Sequence, residues 1–327
     1  MRSSWATSPA SGPEHPLGPP PRRRSHGNTV SSGPVPSAAR LPGLWPRPRA
    51  RARRDALPGL RLALGATLLW VGLLVALPLL ALAIRPWQDG AAPMLAALHD
   101  RRMLAALELS FGSAALAALV NLPLGLLLAW SLTRTRLPGR RAVDALIDLP
   151  FALPTAVTGI TLATLYGPHG WLGAPLAKLG IRVAFTPLGI MLALAFVGLP
   201  FVVRTLEPVL RDLPSELEDA ATMLGAHRRQ IVTRVLLPPL LPALATGFGL
   251  AFARGIGEYG SVIFIAGNQP FHSEIAPLLV VIRLQEFDYA GATSVGFIML
   301  LAAFLSLAVI SALRRRLSRG LGGGEAA

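Results

Sequence analysis

Six apolar stretches run along this chain, each about as long as a helix that crosses a bilayer. A membrane-spanning helix needs roughly 20 predominantly apolar residues. The pattern therefore predicts an all-α polytopic membrane protein with six transmembrane helices. A seventh stretch, 275–284, is too short to span and is predicted to be a re-entrant or surface helix. The six predicted spans are residues 62–84, 107–132, 146–166, 187–203, 240–265 and 292–313.

A polar segment, residues 213–238, separates the fourth and fifth apolar stretches, and we call it the polar loop. Ser215 and Glu218 have the spacing of a capping box, which predicts that a helix begins at Ser215. Gly225 is placed to end that helix as a glycine in the left-handed conformation. A second short helix is predicted over 226–236. The polar loop is thus predicted to be a helix–turn–helix outside the membrane.

The polar loop resembles the "EAA" loop of ABC importer permeases, whose pattern is E-A-A, three residues, G, nine residues, I-x-L-P. Asp219 stands where the pattern has Glu and Val235 where it has Ile, and the remaining positions fit. In that family the first helix of the loop sits in a cleft of an ATPase subunit. The alternative is an ordinary amphipathic surface helix. The resemblance implies an ATPase-coupling site formed by Ser215, Glu218, Asp219, Ala220, Ala221, Gly225 and Pro238.

Composition and arginine placement agree with a membrane protein of defined orientation. Hydrophobic residues make up 52% of the chain and charged residues 15%. Arginines concentrate before the first stretch, between the second and third, in the polar loop and after the last stretch, while the alternate connections hold few. Cytoplasmic loops are enriched in Lys and Arg. Both termini and the polar loop are therefore predicted to face the cytoplasm.

The net charge of +14 does not indicate nucleic-acid binding, because eleven arginines lie in residues 1–61. Residues 1–58 are rich in proline and arginine without apolar periodicity, which is typical of disorder. An organellar transit peptide, or a start assigned too far upstream, would look the same. Attraction to anionic membrane lipid is expected beside the first span. We predict three parts: this tail, a permease domain over 59–317 with its coupling loop at about 204–239, and a flexible tail over 318–327.

Ionisable residues inside membrane spans mark either function or a structural pair. Arg254 and Glu258 are four residues apart in the fifth stretch, and both interpretations remain open for them. Asp144 and Asp148 are interpreted as a solvated helix end.

The single lysine, Lys178, is not part of a phosphate-binding motif. We therefore expect no catalytic residue, metal or cofactor on this chain, and ATP to be used by partner subunits.

The third stretch carries a threonine every third residue from Thr155 to Thr164, directly after Pro150 and Pro154. Steps of three wind around a helix rather than lining one face, so only some of these hydroxyls can face a pathway. The prolines are expected to break the helix near its start. The candidate translocation path comprises Thr155, Thr158, Arg254, Glu258, Tyr259, Ser261 and Asn268.

Three motifs in the second half of the chain make the resemblance specific to one type of permease subunit. They are Gly257-Glu-Tyr-Gly-Ser-Val, Ser273-Glu-Ile-Ala-Pro and Asp288-Tyr-Ala-Gly-Ala. They are similar to those of the sulfate/thiosulfate permease subunits of CysT type, and the resemblance covers residues 59–317. It implies the ABC type I importer permease fold, a location in the inner membrane, and import of sulfate and also of thiosulfate. The implied partners are two cytosolic ATPase subunits, a second homologous permease subunit and a periplasmic sulfate-binding protein. The alternatives are a molybdate/tungstate importer permease or, in another class, a secondary anion transporter.

Overall fold

The computed structural model of this chain describes residues 60–322 apart from Asp89 and Leu137, with side chains described from Leu62 to Arg316. The predicted disordered tail, residues 1–58, lies outside this range, as do residues 323–327 of the predicted C-terminal tail. The described part is built from helices and contains no strand. The all-α fold class is thus confirmed.

The described helices are numbered here in chain order. The first part contains α1 (Leu60–Val71), a π turn (Gly72–Ala76), α2 (Leu77–Ile84), a 3-10 turn (Arg85–Trp87), α3 (Ala92–His99) and α4 (Arg101–Arg134). The middle part contains α5 (Arg140–Ala152), α6 (Thr155–Tyr166), α7 (Gly173–Lys178), α8 (Pro187–Asp212) and α9 (Glu216–Met223). The last part contains α10 (Arg228–Gln230), a π turn (Ile231–Leu236), α11 (Leu237–Ile256), α12 (Val262–Ile265), α13 (Ala276–Gln285) and α14 (Tyr289–Gly322).

Five described helical segments are long and apolar enough to cross a membrane, and they match five of the six predicted spans. The sixth predicted span, 146–166, is instead the pair α5 and α6, which meet at a bend of 113°. Pro154 causes the bend, since it has no N–H group to continue the helix and restricts the residue before it. Pro150 lies inside α5 without breaking it. The five long segments are Leu62–Trp87, Arg101–Arg134, Pro187–Asp212, Arg228–Ile256 and Tyr289–Arg316.

The polar loop and the fifth span differ from the prediction at both ends. The predicted second loop helix, 226–236, is not separate: α10, the π turn and α11 form one continuous helix, Arg228–Ile256. Pro238 lies near the start of α11, where the widened π turn accommodates a residue without an N–H group. The predicted stretch 240–265 is interrupted, because α11 ends at Ile256 and α12 begins at Val262. We call residues 257–261 the helix break.

Three helices, α4, α8 and α11, form the centre of the bundle, and their contacting faces are rich in small residues. Asn121 on α4 is buried and its Nδ2 donates a hydrogen bond of 2.9 Å to the Ala195 carbonyl oxygen of α8. A buried amide with a partner ties two apolar helices together without an unsatisfied group. On α1 and α2 large apolar side chains are exposed, as expected of a surface that faces lipid.

The short helix α13 packs against α4 and α14, with Ala276, Leu278 and Leu279 buried. Ten residues of helix extend about 15 Å, which is half the hydrocarbon thickness of a bilayer. As predicted, this stretch is too short to span. At the end of the chain α14 continues to Gly322, so residues 318–322 of the predicted flexible tail are helical.

Candidate functional site: the polar loop and the helix break

The first helix of the polar loop, α9, begins one residue after Ser215, but the predicted capping box is not formed. Ser215 has helical dihedral angles (φ −66°, ψ −24°), and its side chain makes no capping hydrogen bond. An N-cap side chain reaches the first amides only when its own backbone is extended. The backbone itself supplies the first turn, with the Glu218 N–H donating to the Ser215 carbonyl at 3.0 Å.

The end of α9 follows the prediction closely. Gly225 has φ +79°, and its N–H donates to the Thr222 carbonyl at 2.9 Å. The next N–H, on Ala226, donates to the Ala221 carbonyl at 3.0 Å. These two bonds form a Schellman motif, which requires the left-handed conformation that glycine adopts at little cost. Gly225 therefore sets the direction in which the chain leaves α9.

The surface of α9 is acidic at its start and apolar at its end. Glu216, Glu218 and Asp219 occupy the first turn, where the helix dipole favours negative charge. Met223 and Leu224 at the other end are 90% and 89% exposed. Exposed apolar side chains at such a turn are typical of an interaction surface.

Few contacts hold α9 to the rest of the protein. Arg134, the last residue of α4, donates from Nη2 to the Leu213 carbonyl at 2.5 Å. Its Nη1 lies 3.6 Å from Glu218 Oε1, which is longer than a hydrogen bond. A cavity of about 630 Å³ separates α9 from α4 and α10, and its lining includes Trp130, Asp219 and Arg228. Of the predicted coupling residues, Pro238 alone lies in the continuous helix Arg228–Ile256.

An ion cluster beside the polar loop was not predicted from the sequence. Arg204 on α8 lies 2.7 Å from Asp144 and 2.6 Å from Asp148, both on α5, and 3.1 Å from Glu207. The interpretation of the two aspartates as a solvated helix end is therefore wrong in part, because each is about half exposed and also paired. Their spacing of four places them on one face of α5. The partner is 56 residues away from Asp148, and no local pattern reveals it.

The helix break brings together four of the seven predicted path residues. Glu258 is buried, and its Oε1 accepts hydrogen bonds from the Ser261 N–H at 2.8 Å and from the Ser261 hydroxyl at 2.9 Å. Its Oε2 lies 2.5 Å from Arg254 Nη1. Thr155 of α6 lies against Gly260, where an added Cβ would come within 2.2 Å of the threonine hydroxyl.

The other three path residues flank this cluster. Thr158 is buried in α6 one turn after Thr155, and Tyr259 is half-buried within the break. Asn268 follows α12 with φ +55°, and its Nδ2 donates to the Ile263 carbonyl at 2.9 Å. The Asn268 Oδ1 atom is buried without a partner among the described residues. The break is thus a compact polar site inside a largely apolar bundle.

At the end of the bundle opposite the polar loop, two arginines form three further ion pairs that sequence reasoning missed. Arg102 donates from Nε and Nη2 to the fully buried Glu274 at 2.8 and 2.6 Å. Arg283 pairs with Asp100 at 2.5 Å and with Asp288 at 2.7 Å. The Gly291 N–H and then the Arg283 guanidinium hold the pKa of Asp288 below its usual range. Glu274 and Asp288 belong to two of the three motifs that carried the resemblance, so these two motifs have a structural role.

One more carboxylate was missed. Glu108 is exposed on α4, within the described span, and faces a cavity of about 870 Å³. Arg182 and His272 also line this cavity. A charge within an apolar span was a usable signal, since such residues are costly in lipid.

A family model described as "Binding-protein-dependent transport system inner membrane component" matches residues 121–323. This range contains the polar loop and the helix break. The chain belongs to this family. It is a multi-pass inner-membrane transport subunit rather than an enzyme, and the secondary-transporter alternative is wrong.

Curated relatives and solved structures agree with this assignment. The chain is 47% identical to the sulfate transport system permease protein CysT of Escherichia coli (strain K12), over 83% of this chain and 98% of that protein. It is 48% identical to a probable sulfate transport system permease protein cysT of Nephroselmis olivacea, over 75% of this chain and 86% of the relative. A bacterial ABC transporter that imports alginate has the same fold, with a TM-score of 0.66 at 18% identity, over 79% of this chain and 95% of that one.

Proposed function

We propose that this chain is the membrane-spanning subunit of an ABC importer that carries sulfate into the cytoplasm. The observation that carries the proposal is the similarity to a sulfate permease over 98% of that relative's length. The molybdate alternative is not favoured, because the curated relatives are sulfate permeases. Thiosulfate is a second substrate of the same chemistry.

The polar loop is the coupling site for a cytosolic ATPase in this proposal. Its exposed apolar end, Met223 and Leu224, offers a contact surface. Its few contacts with the bundle allow α9 to move as a lever. Two ATPase subunits would bind ATP, and closure of the pair would pull on α9 and on the continuous helix Arg228–Ile256. ATP is then bound by the partner subunits, and this chain holds no cofactor of its own.

The arginines and the helix directions support the proposed orientation of the chain. Arg134, Arg204 and Arg211 lie at the polar-loop end of the bundle, which is assigned to the cytoplasm. Both termini then face the cytoplasm, and the Glu274 end faces the periplasm. A periplasmic sulfate-binding protein would deliver its ligand there. A second homologous permease subunit would complete the pathway against the faces that this chain leaves uncovered.

The proposal is tested by uptake of radiolabelled sulfate in cells that lack this gene, with unlabelled molybdate as competitor. We expect uptake to be lost without the gene, restored by it, and insensitive to molybdate at modest excess. Normal sulfate uptake in the deletion strain, with other sulfate permeases absent, would contradict the assignment of sulfate. The family assignment would be unaffected.

A further inference from the structure

Two arginine–glutamate pairs, with their arginines on α4 and α11, are closely matched in burial. The side chains of Arg102 and Glu274 are 31% and 0% exposed. Those of Arg254 and Glu258 are 35% and 2% exposed. In each pair a buried carboxylate is neutralised by a guanidinium that reaches the surface. Judged by burial alone, both pairs would be interpreted as structural ion pairs.

The pairs differ in how many donors the arginine uses. Arg102 presents Nε and Nη2 to both oxygens of Glu274, so one edge of its fork is fully occupied. Arg254 meets Glu258 through Nη1, because the other Glu258 oxygen accepts two hydrogen bonds from Ser261. A guanidinium has five N–H donors. Among the described residues Glu258 is the partner that the structure gives to Arg254, so its Nε–Nη2 edge remains available to a ligand.

Among the described helices, Arg254 lies at the border of the covered face of α11, because Gly247 and Ala251, seven and three residues before it, are buried while its own side chain is 35% exposed. The buried glycines of α11 lie against neighbouring helices, Gly247 at Val202 of α8, Gly249 at Ile310 of α14 and Gly255 at Ala114 of α4. Leu250 and Gly257, one turn before and after Arg254 on the remaining face, are exposed. An arginine side chain that faces lipid is costly. We therefore infer that this side of α11 faces a polar environment between permease subunits.

We propose that Arg254 is the specificity-determining cation that contacts the transported oxyanion, and that Glu258 and Ser261 are the residues that position it. The inference rests on the proposed transport of sulfate. The free edge of a guanidinium matches two oxygens of a tetrahedral anion in a bidentate arrangement. Since Glu258 already neutralises the charge of Arg254, the anion meets a polarised donor pair rather than an isolated cation. Such a site binds weakly enough to release its ligand, as a translocation path requires.

The absence of cysteine from this chain allows a direct test. The variant R254C/E258Q removes both charges together, which avoids an uncompensated buried carboxylate. The matched control R102C/E274Q makes the same change at the other pair. Each variant is assembled with cysteine-free partner subunits, and sulfate uptake is measured before and after reaction with a cationic or an anionic methanethiosulfonate. Assembly is checked by co-purification of the ATPase.

We expect R254C/E258Q to assemble and to lose sulfate uptake by about tenfold or more. The cationic reagent should restore uptake several-fold by returning an ammonium group to position 254, and the anionic reagent should not. The control should stay within about threefold of the wild type with either reagent. Uptake near the wild-type level in R254C/E258Q, equal restoration by both reagents, or equal losses at the two pairs would each overturn the proposal.

A failure to assemble is resolved by a second variant. R254K keeps the ion pair with Glu258 but replaces the planar fork by a single ammonium. We expect it to assemble and to raise the sulfate KM with little change in the maximal rate, whereas wild-type kinetics in R254K would overturn the proposal. Failure of the wild-type gene to restore sulfate uptake is a different result, because it contradicts the proposed function and not the role of Arg254.

Discussion

The two ends of this bundle hold their charges differently. At the end opposite the polar loop, Arg102 uses two donors on the buried Glu274, and Arg283 joins two acidic residues. At the polar-loop end, Arg134 lies 3.6 Å from Glu218, and the Glu218 oxygen that faces it is buried without a hydrogen bond among the described residues. The contact between Arg102 and Glu274 is therefore closed, whereas the contact between α4 and α9 is incomplete, although the Arg204 cluster beside it ties α5 to α8.

The difference follows from what each end has to do. A closed, hydrogen-bonded ion pair fixes the positions of α4 and α13 relative to each other, because removing either charge would leave the other uncompensated. A long contact on a partly exposed surface contributes little. The contact between α4 and α9 can therefore rearrange at low cost when a partner pulls on α9. Coupling requires this difference, because α9 can transmit the movement of a partner only if its own contacts with the bundle can change.

The largest expected effect is at the closed end. We expect Arg102→Met to destabilise the protein by about 3–5 kcal/mol, because it strands the buried Glu274 carboxylate. The neutral double variant R102M/E274Q should recover most of that loss. Arg134→Met should cost less than about 1 kcal/mol. Thermal unfolding of the detergent-solubilised protein measures all three, and equal losses for R102M and R134M would contradict the comparison.

The second effect is on transport rather than stability. We expect Gly225→Asp to reduce sulfate uptake by about tenfold while the protein stays in the membrane, since a non-glycine residue at φ +79° costs about 1–2 kcal/mol. The added carboxylate would also lie at the proposed ATPase surface. Uptake and membrane abundance are measured together.

Gly139→Asp is the matched control for that variant. Gly139 has φ +77° and open space around it, as Gly225 does, but it precedes α5. The backbone strain is therefore the same and the position relative to α9 is different. Equal uptake in the two variants would show that strain, and not the coupling surface, is responsible.

Much of this architecture could be predicted from the sequence because it depends on local pattern. Apolar length gives the spans, and the position of Gly225 gives the Schellman turn. The pairs Arg204–Asp148 and Arg102–Glu274 could not be predicted, since their members are 56 and 172 residues apart. The failure at Ser215 has another cause. The spacing of the capping box is correct, but the side chain can cap only from an extended backbone, and here Ser215 is already helical.

The third prediction concerns the apolar end of α9. Leu224→Asp should weaken co-purification of the ATPase by about threefold to tenfold, because the side chain is 89% exposed and its role in folding is small. Leu224→Met is the control that preserves an apolar surface. Normal co-purification of the ATPase with the aspartate variant would show that this end of α9 is not the docking surface.

The smallest effect returns to the closed end and depends on pH. The lowered pKa of Asp288 means that ionisation of this carboxyl group stabilises the folded protein. Its contribution to stability is therefore present above the ordinary carboxyl pKa of about 4 and is lost as the pH falls through the lower folded value. Because the side chain is 39% exposed, solvent screening limits the contribution to less than about 1 kcal/mol. We expect Asp288→Asn to lower the melting temperature by less than about 4 °C at pH 6, and the difference from the wild type to shrink toward pH 3. A difference that is the same at both pH values would mean that Asp288 acts through packing and not through its charge.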